Sequence, residues 1–233
     1  TAMLLLSANL GFAAGAPVQI TANSSNQGRP DVQGNVIVWK DDRAGNWDIY
    51  MYNLAAGGEQ VVANTPAYQN VPVTNGMMVV WQDDRNGNQD VYMRDMFLGI
   101  EQPLVTGPGN QGMAEISGNT VVYVDDQSGN YDIYSIDLAT RTTQPVCTNS
   151  ASQWQPRISG SRVVWEDNRN GNWDIYMKDL ATGGVEQRVS TSPGDNRVAD
   201  ISGDIVVWQS VIGGVADIRL KNIVTGVEQA VTS

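Results

Sequence analysis

The sequence lacks histidine altogether and has one cysteine and two phenylalanines among 233 residues. Histidine is the commonest general base, a member of the serine-protease type of triad and the usual zinc ligand, so its absence excludes most hydrolase and zinc chemistry. The single cysteine, Cys147, excludes a disulfide within the chain and is typical of a small buried apolar residue. We therefore predict a protein that is not an enzyme.

Basic residues are scarce as well, since 14 Lys and Arg stand against 25 Asp and Glu, for a formal net charge of −11. The basic residues form no run, and a negative chain repels phosphate backbones, so nucleic acid is excluded as a partner. The chain also lacks the run of about twenty apolar residues that a membrane-spanning helix needs. With 24 glycines, the composition predicts short strands and many turns rather than helices.

An internal repeat organises the rest of the sequence. Trp39, Trp81, Tyr123, Trp165 and Trp208 recur at spacings of 42, 42, 42 and 43 residues. Each unit holds four strand-like runs separated by turn residues, and four strands in about forty-two residues is the pattern of a propeller blade. Because a lone four-stranded sheet cannot bury both faces, the units are expected to stack on one another.

We predict an all-β fold, a five-bladed β-propeller with four antiparallel strands per blade, over residues 18–233. The one extra residue of the fourth repeat is predicted in the turn at 183–185. A surplus strand is predicted at residues 18–21. The blades are predicted near residues 27–63, 69–105, 111–147, 153–190 and 196–232.

The amino-terminal residues 1–17 form a separate apolar segment that contains Ala14-Gly15-Ala16, the pattern of a secretory cleavage site. This predicts a secreted, extracellular or cell-surface protein, with the periplasm as an alternative. The segment is either a leader or, together with the surplus strand, an assembly arm that adds a strand to another subunit. The predicted arm residues are Leu4, Leu5, Leu6, Leu10, Phe12, Val18 and Ile20.

Three segments, NVIVWKDDRAGNWDIYMYNL, MMVVWQDDRNGNQDVYMRDM and RVVWEDNRNGNWDIYMKDL, resemble the TolB-like or WD40-like propeller repeat of periplasmic and cell-surface proteins. The resemblance covers residues 18–233. It implies a propeller fold with a role in protein–protein interaction or at the cell surface, and it carries no catalytic residues to transfer.

One position of the repeat holds an amide side chain in all five units, and these amides are the first candidate binding site. We predict that they form a ring on one rim of the propeller. In the alternative interpretation, each amide bonds the backbone of the neighbouring blade. Tyr68 and Trp154 are sequence neighbours of two of these amides and are candidate residues for ligand specificity. The amides are Gln27, Gln69, Gln111, Gln153 and Asn196.

The aromatic residues Trp47, Tyr131 and Trp173 occupy one position in the hairpin between the second and third strands of their repeats. Flat rings beside polar groups bind sugars, so a glycan is an alternative ligand. In the other interpretation the rings cover the edge of the adjacent blade.

The hairpins between the second and third strands also carry oxygen-bearing side chains at alternate positions, a pattern typical of calcium loops. In the second repeat these are Asp84, Asn86, Asn88 and Asp90. No bidentate glutamate follows, and such side chains also hold tight turns by bonding their own backbone. We therefore expect no cofactor and no resident metal, with Ca²⁺ at the hairpins as the alternative.

These features predict a non-catalytic scaffold for binding and assembly, with protein partners or further copies of the chain. A self-assembling surface-layer or filament subunit and a glycan-binding lectin are the alternatives. A glycosidase using channel carboxylates such as Asp31, Glu115 and Asp200 comes last.

Overall fold

The computed structural model describes residues 17–232, and every regular element in that range is a β-strand. The strands pair with their neighbours in chain order and form five antiparallel sheets of four strands each. The described residues contain no helix that could span a bilayer. The predicted all-β fold with four antiparallel strands per repeat is therefore confirmed.

The first compact unit, which ends at Thr106, contains two sheets. The first sheet consists of β1 (Gln27–Gln33), β2 (Val36–Asp41), β3 (Asp48–Asn53) and β4 (Glu59–Ala63). The second sheet consists of β5 (Gln69–Thr74), β6 (Met78–Asp83), β7 (Asp90–Asp95) and β8 (Glu101–Val105).

The second compact unit, which begins at Gly107, contains three sheets. The third sheet consists of β9 (Gln111–Ser117), β10 (Thr120–Asp125), β11 (Asp132–Asp137) and β12 (Thr143–Cys147). The fourth consists of β13 (Gln153–Ser159), β14 (Arg162–Asp167), β15 (Asp174–Asp179) and β16 (Gln187–Arg188). The fifth consists of β17 (Asp195–Ser202), β18 (Ile205–Ile212), β19 (Val215–Asn222) and β20 (Glu228–Ala230).

The fifth sheet has a different hairpin between its second and third strands. In the second sheet the ladder ends at the pair Asp83 and Asp90, and the first, third and fourth sheets end at equivalent aspartate pairs. In the fifth sheet the ladder continues to Ile212 and Val215, because Gly213 and Gly214 both adopt positive φ and form a two-residue turn. The loss of the Asp-Arg-Asn-Gly residues here thus produces a longer, tighter hairpin.

The extra residue of the fourth repeat lies in the turn after β15. The N–H of Gly184 donates to the carbonyl of Asp179, five residues back, whereas the N–H of Gly57 reaches back four residues to Asn53. The insertion therefore lies in a turn, as predicted. The ladder that follows it, between β15 and β16, has two residue pairs where that between β3 and β4 has four.

The two sheets of the first unit share an apolar core. Trp81 and Tyr92 of the second sheet lie in one buried cluster with Val38, Ile49 and Met51 of the first. Removing an apolar side chain of this size from water stabilises a fold by about 1.5–3 kcal/mol. The repeated aromatic residue therefore joins its own sheet to the preceding one.

The three sheets of the second unit pack in the same way. Trp165 lies in a buried cluster with Val122 and Ile133 of the third sheet. Trp208 lies in a cluster with Val164 of the fourth sheet and is 1% exposed. The repeated ring therefore packs against the preceding sheet in both pairs, and the predicted stacking of neighbouring repeats is observed for them.

One long cationic side chain also links each of these sheet pairs. It comes from the third strand of the later sheet and donates to a backbone carbonyl of the earlier sheet. The pairs are Arg94 Nη1 to Val62 (2.6 Å), Lys178 Nζ to Val146 (2.9 Å) and Lys221 Nζ to Val189 (2.8 Å). Because a hydrogen bond to a charged donor is strong and directional, it fixes how one sheet lies on the next.

Residues 18–21, predicted as a surplus strand, lie outside the strands of the structure. Each sheet already has a fourth strand of its own, so no sheet needs this segment. Instead, Arg43 Nη2 donates to Thr21 Oγ1 at 3.2 Å. Of the predicted arm, Val18 is exposed and Ile20 is half-buried. The other arm residues lie outside the described range: Leu4, Leu5, Leu6, Leu10 and Phe12.

Candidate functional site

The W-x-D-x-R part of the repeat forms one hydrogen-bonded network. In the second sheet, the indole Nε1 of Trp81 donates to the buried carboxylate of Asp83 at 3.0 Å, and Arg85 Nη2 donates to it at 2.5 Å. The same guanidinium lies 4.1 Å from the ring centroid of Tyr92. The first and fourth sheets repeat this geometry with Trp39, Asp41, Arg43 and Tyr50, and with Trp165, Asp167, Arg169 and Tyr176. The motif therefore stabilises the hairpin.

Acceptors of the predicted calcium loop are used by the hairpin and by the loop that precedes β5. Asn86 Nδ2 donates to Asp90 Oδ2 at 2.6 Å, and Asp84 Oδ1 accepts the N–H of Tyr68 at 2.6 Å. Within residues 17–232, no three acidic or cysteine side chains are grouped so that they could hold a metal ion. Ca²⁺ at these hairpins stays a prediction.

One position in the first sheet departs from this pattern. Ala44 stands where the second sheet has Asn86, and no described side chain donates to the fully buried Asp48. Burial raises the pKa of Asp48 to about 6, although a hydrogen bond from the backbone of Thr65 opposes the shift. The nearby carboxylate of Asp41 raises this pKa further. Asp48 is thus a buried acid that lacks its usual partner.

The repeated amides are buried rather than displayed on a rim. Gln69 Nε2 donates to the carbonyl of Ala67 at 2.8 Å, and Gln153 Nε2 donates to that of Ala151 at 2.6 Å. These contacts hold the loop before the first strand of the second and fourth sheets. The exposed fraction is zero for Gln69, Gln111, Gln153 and Asn196, and Gln27 is half-buried. The prediction of a binding ring of amides is therefore corrected: four of these amides are fully buried, and Gln69 and Gln153 hold a loop.

Three of the predicted aromatic residues line one cleft in the second unit. Tyr131, Trp154 and Trp173 surround a space of about 290 Å³, which we name the aromatic cleft. Sequence reasoning missed the three residues that complete its lining, which are Ser152, Asn168 and Arg197.

The other two predicted aromatic residues belong to the first unit. Lys40 Nζ lies 4.1 Å from the ring centroid of Trp47, and Tyr68 is 43% exposed. Trp47 therefore contacts its own sheet, and the cover of an adjacent blade's edge by this ring stays a prediction.

A bulge in the first strand of each sheet explains how two side chains reach the aromatic cleft. The pairing of the first and second strands shifts register next to a non-glycine residue with positive φ. A bulge bends the strand and re-aims the neighbouring side chain. Trp154 and Arg197 directly precede this residue, where the other sheets have Gly28, Asn70 and Gly112. The residues with positive φ are Arg29, Val71, Met113, Gln155 and Val198.

Side chains of the aromatic cleft hold one another in position. The rings of Tyr131 and Trp154 meet edge to face with their centroids 4.5 Å apart. The guanidinium of Arg197 lies 4.4 Å from the ring centroid of Trp173, and its Nε donates to Glu166 at 2.9 Å. A guanidinium that is both ion-paired and stacked on an indole is fixed before any ligand arrives.

Glu166 anchors this arrangement from below the surface. It is 1% exposed, and its second oxygen accepts the N–H of Val198 at 2.7 Å. Sequence reasoning missed the ion pair, although Arg197 directly follows a repeated amide, as Trp154 does. Positions equivalent to Glu166 hold Lys40, Gln82, Val124 and Gln209.

Two of the predicted channel carboxylates and the single cysteine are held by their surroundings. Asp31 accepts the N–H of Thr74 at 2.8 Å, and Glu115 pairs with Arg157 at 2.7 Å. Cys147 is buried, and burial raises the pKa of its thiol to about 12. A thiol with this pKa carries almost no nucleophilic thiolate at neutral pH.

Comparison with known proteins gives matches to solved structures only. No family model matches the chain, and no curated protein matches its sequence. The crystal structure of TolB from Acinetobacter baumannii matches with a TM-score of 0.68 and 15% identity, over 94% of this chain and 57% of that one. The chain has a TolB-like β-propeller fold. The predicted resemblance is thereby confirmed for the fold, and this chain spans just over half of that TolB.

Two further matches cover most of both chains. A candidate TolB from Agrobacterium tumefaciens matches with a TM-score of 0.69 and 17% identity, over 91% of this chain and 82% of that one. A chain of the nidogen/laminin complex matches with a TM-score of 0.63 and 11% identity, over 90% and 81%. Prolyl endopeptidases match as well, but this chain covers 34% of their length. At these identities the likeness concerns the fold alone.

Proposed function

We propose that this chain is a non-catalytic binding module of the cell envelope or the extracellular space, which recognises a partner through the aromatic cleft. The observation that carries the proposal is the convergence of Tyr131, Trp154, Trp173 and Arg197 on one cleft. The likeness to TolB and to a chain of the nidogen/laminin complex supports a binding role at the level of the fold. Export, which the resemblance to cell-surface repeats implies, agrees with this role.

The composition of the cleft suits binding. Trp, Tyr and Arg are the side chains that contribute most at binding sites, because they offer large rigid surfaces and directional donors at a small entropic cost. Here they are already held by ring contacts and by the Glu166 ion pair. Binding therefore orders few side chains, which favours affinity.

A pair of matched variants tests the proposal. Trp173 and Trp47 occupy the same hairpin position, and each ring is covered by a cation, Arg197 or Lys40. We expect Trp173→Ala to weaken binding of purified cell-envelope extract to the immobilised protein by at least about tenfold. Trp47→Ala should bind like the wild type. Equal binding by all three proteins would contradict the proposal.

We also propose that the five sheets are the blades of one five-bladed propeller. Val164 lies on a face of the fourth sheet that is buried. The equivalent face of the fifth sheet remains exposed. Val207 and Ile218 line an apolar depression of about 220 Å³ there, and Ile218 is 41% exposed. A closed ring would cover such a face, as the next sheet covers it in the fourth.

Contact with another copy of the chain, in place of ring closure, is the other way to cover this face, and it favours a second function, self-assembly into a surface layer or filament. An apolar sheet face of this kind is a typical contact between protein copies. Size-exclusion chromatography of the full chain, of a chain that lacks residues 1–21 and of Ile218→Ser tests this function. Loss of oligomers in either variant would support assembly, and monomers in all three proteins would eliminate it.

A further inference from the structure

Arg197 presents one edge of its guanidinium to the aromatic cleft. Its Nε donates to Glu166 and its Cζ lies 4.4 Å from the ring centroid of Trp173, so these two contacts hold its position. Within residues 17–232, no oxygen accepts a hydrogen bond from its Nη1 or Nη2, and its side chain is 42% exposed. A guanidinium held in this way can bind a carboxylate through two parallel hydrogen bonds.

The other polar groups that line the cleft are neutral. Asn168 Oδ1 accepts the N–H of Ser152 at 3.0 Å, so this amide is held in one orientation with its Nδ2 still available. The Ser152 hydroxyl and the Tyr131 phenol add two groups that donate and accept. Groups of this kind, next to flat aromatic rings, match the alternating hydroxyls and apolar faces of a sugar.

We propose that the aromatic cleft binds a pyranose ring that carries a carboxylate, the uronic acid class of sugar. This inference rests on the proposed function of the cleft as the binding site. The carboxylate binds Arg197, the ring lies on an indole, and the hydroxyls bind Asn168, Ser152 and Tyr131. The space of about 290 Å³ is close to the lower end of the range of about 300–1,000 Å³ for small-ligand sites, which suits one or two sugar rings.

The charge of the protein makes the position of this one guanidinium important. The formal net charge of −11 repels acidic ligands elsewhere on the chain, so a carboxylate gains only where a fixed cation meets it at short range. Glu166 compensates Arg197 on one edge and leaves the other edge to the ligand. The inference therefore predicts selectivity for one acidic sugar unit, together with strong dependence on Arg197.

Tryptophan fluorescence titration with trigalacturonic acid and with neutral galactotriose tests the inference. We expect the acidic trisaccharide to bind at least about tenfold more tightly than the neutral one. The double variant Glu166→Gln with Arg197→Gln, which leaves no buried charge unpaired, should lose this preference. Trp173→Ala should lose binding of both sugars, and Trp47→Ala should keep both. Circular dichroism melting checks that each variant is folded.

Equal affinity for the two sugars, no binding of either sugar, or a preference that survives the double variant would overturn the inference. The sugar could come from a glycoprotein or from a polysaccharide, and a competition assay separates these two sources. Trigalacturonic acid competes with envelope extract for the immobilised protein, before and after the extract is digested with protease. Loss of binding after digestion assigns the sugar to a glycoprotein, and retention assigns it to a polysaccharide; both agree with the inference. Extract binding that needs Trp173 but resists the sugar would overturn this inference and leave the proposed function standing.

Discussion

Asn86 donates its Nδ2 to the carboxylate of Asp90 at 2.6 Å, across the hairpin of the second sheet. Asn170 and Asp174 make the same contact in the fourth sheet at 3.0 Å, and Ser128 replaces the asparagine in the third at 2.7 Å. In the first sheet the donor is lost, because Ala44 occupies its position. The hairpins therefore contain three bonded acids and one, Asp48, without a side-chain donor.

Restoring the donor should stabilise the first sheet. We expect Ala44→Asn to raise the free energy of unfolding by about 1 kcal/mol at pH 7.5, because it bonds a buried carboxylate. Asn86→Ala, the reverse change in the second sheet, should lower it by about 1–3 kcal/mol, because it leaves Asp90 with one donor fewer. Urea denaturation measures both. An unchanged midpoint for Ala44→Asn would contradict the assignment of Asp48.

Asp48 should also make stability depend on pH. Its folded-state pKa of about 6 lies above the ordinary value of 3.8, so the folded protein binds the proton more tightly than the unfolded chain. This contribution is fully present below pH 3.8 and is lost as the pH rises through about 6. We therefore expect the free energy of unfolding of the wild type, measured relative to that of Asp48→Asn, to fall as the pH rises from 3.8 to about 6. The total fall should be about 1.4 kcal/mol for each unit by which the folded-state pKa of Asp48 exceeds its unfolded-state pKa.

Comparison with Asp48→Asn is necessary because Asp41 acts in the opposite sense. Burial acts to raise the pKa of Asp41, but hydrogen bonds from Arg43 and Trp39 together hold it below 3.8. The stability that Asp41 supplies is therefore present above this pH and is lost in acid. Both proteins contain Asp41, so its contribution cancels in the difference. A difference that stays flat between about pH 4 and 7 would refute the prediction for Asp48.

The buried carboxylate of the repeat motif should be essential to stability. Asp167 accepts the indole N–H of Trp165 and two donors of Arg169. We expect Asp167→Asn to cost about 2–4 kcal/mol, because it removes the buried one of the two carboxylates that pair with Arg169 and leaves only the more exposed Glu186. Asp204→Asn, which removes a 51% exposed partner of Arg162, is the control and should cost less than about 1 kcal/mol. Similar losses in guanidinium denaturation would contradict the account of the motif.

Cys147 should be inert in the folded protein. Its thiol is buried and its pKa is raised to about 12, with burial as the main cause. We expect its reaction with Ellman's reagent at pH 8 to be at least about a hundredfold slower in the folded protein than in urea. Equal rates in both solutions would show that the thiol is accessible and would remove the basis for its structural role.

Much of the fold could be predicted from the sequence because the repeat is regular. The spacing from Trp39 to Trp208 indicated five units of nearly equal length, and the need to cover both faces of each sheet indicated that the units stack, as Trp81 does on the first sheet. The insertion at 183–185 was also predictable, because glycine residues mark a turn there. The spacing depends on contacts that recur from repeat to repeat, so five copies of the signal support one another, and against them a single inserted residue is easy to locate.

Features that occur once could not be predicted in the same way. The ion pair of Glu166 and Arg197 joins two adjacent sheets, and only their packing brings the residues together. The surplus strand at 18–21 matched the local pattern, but each sheet already had a fourth strand. A recurring position can also be misinterpreted. The amides were predicted to form an exposed ring because their position recurs, but in the second and fourth sheets that position makes a buried loop contact.

Hydroxyl-radical footprinting of the protein, with and without bound envelope extract, tests the central claim most directly. We predict that binding protects Tyr131, Trp154 and Trp173. Tyr68 and Phe97, which are 43% and 92% exposed, should react unchanged and serve as internal controls. Protection of Tyr68 or Phe97, with the three rings of the aromatic cleft still reactive, would contradict the assignment of the cleft as the binding site.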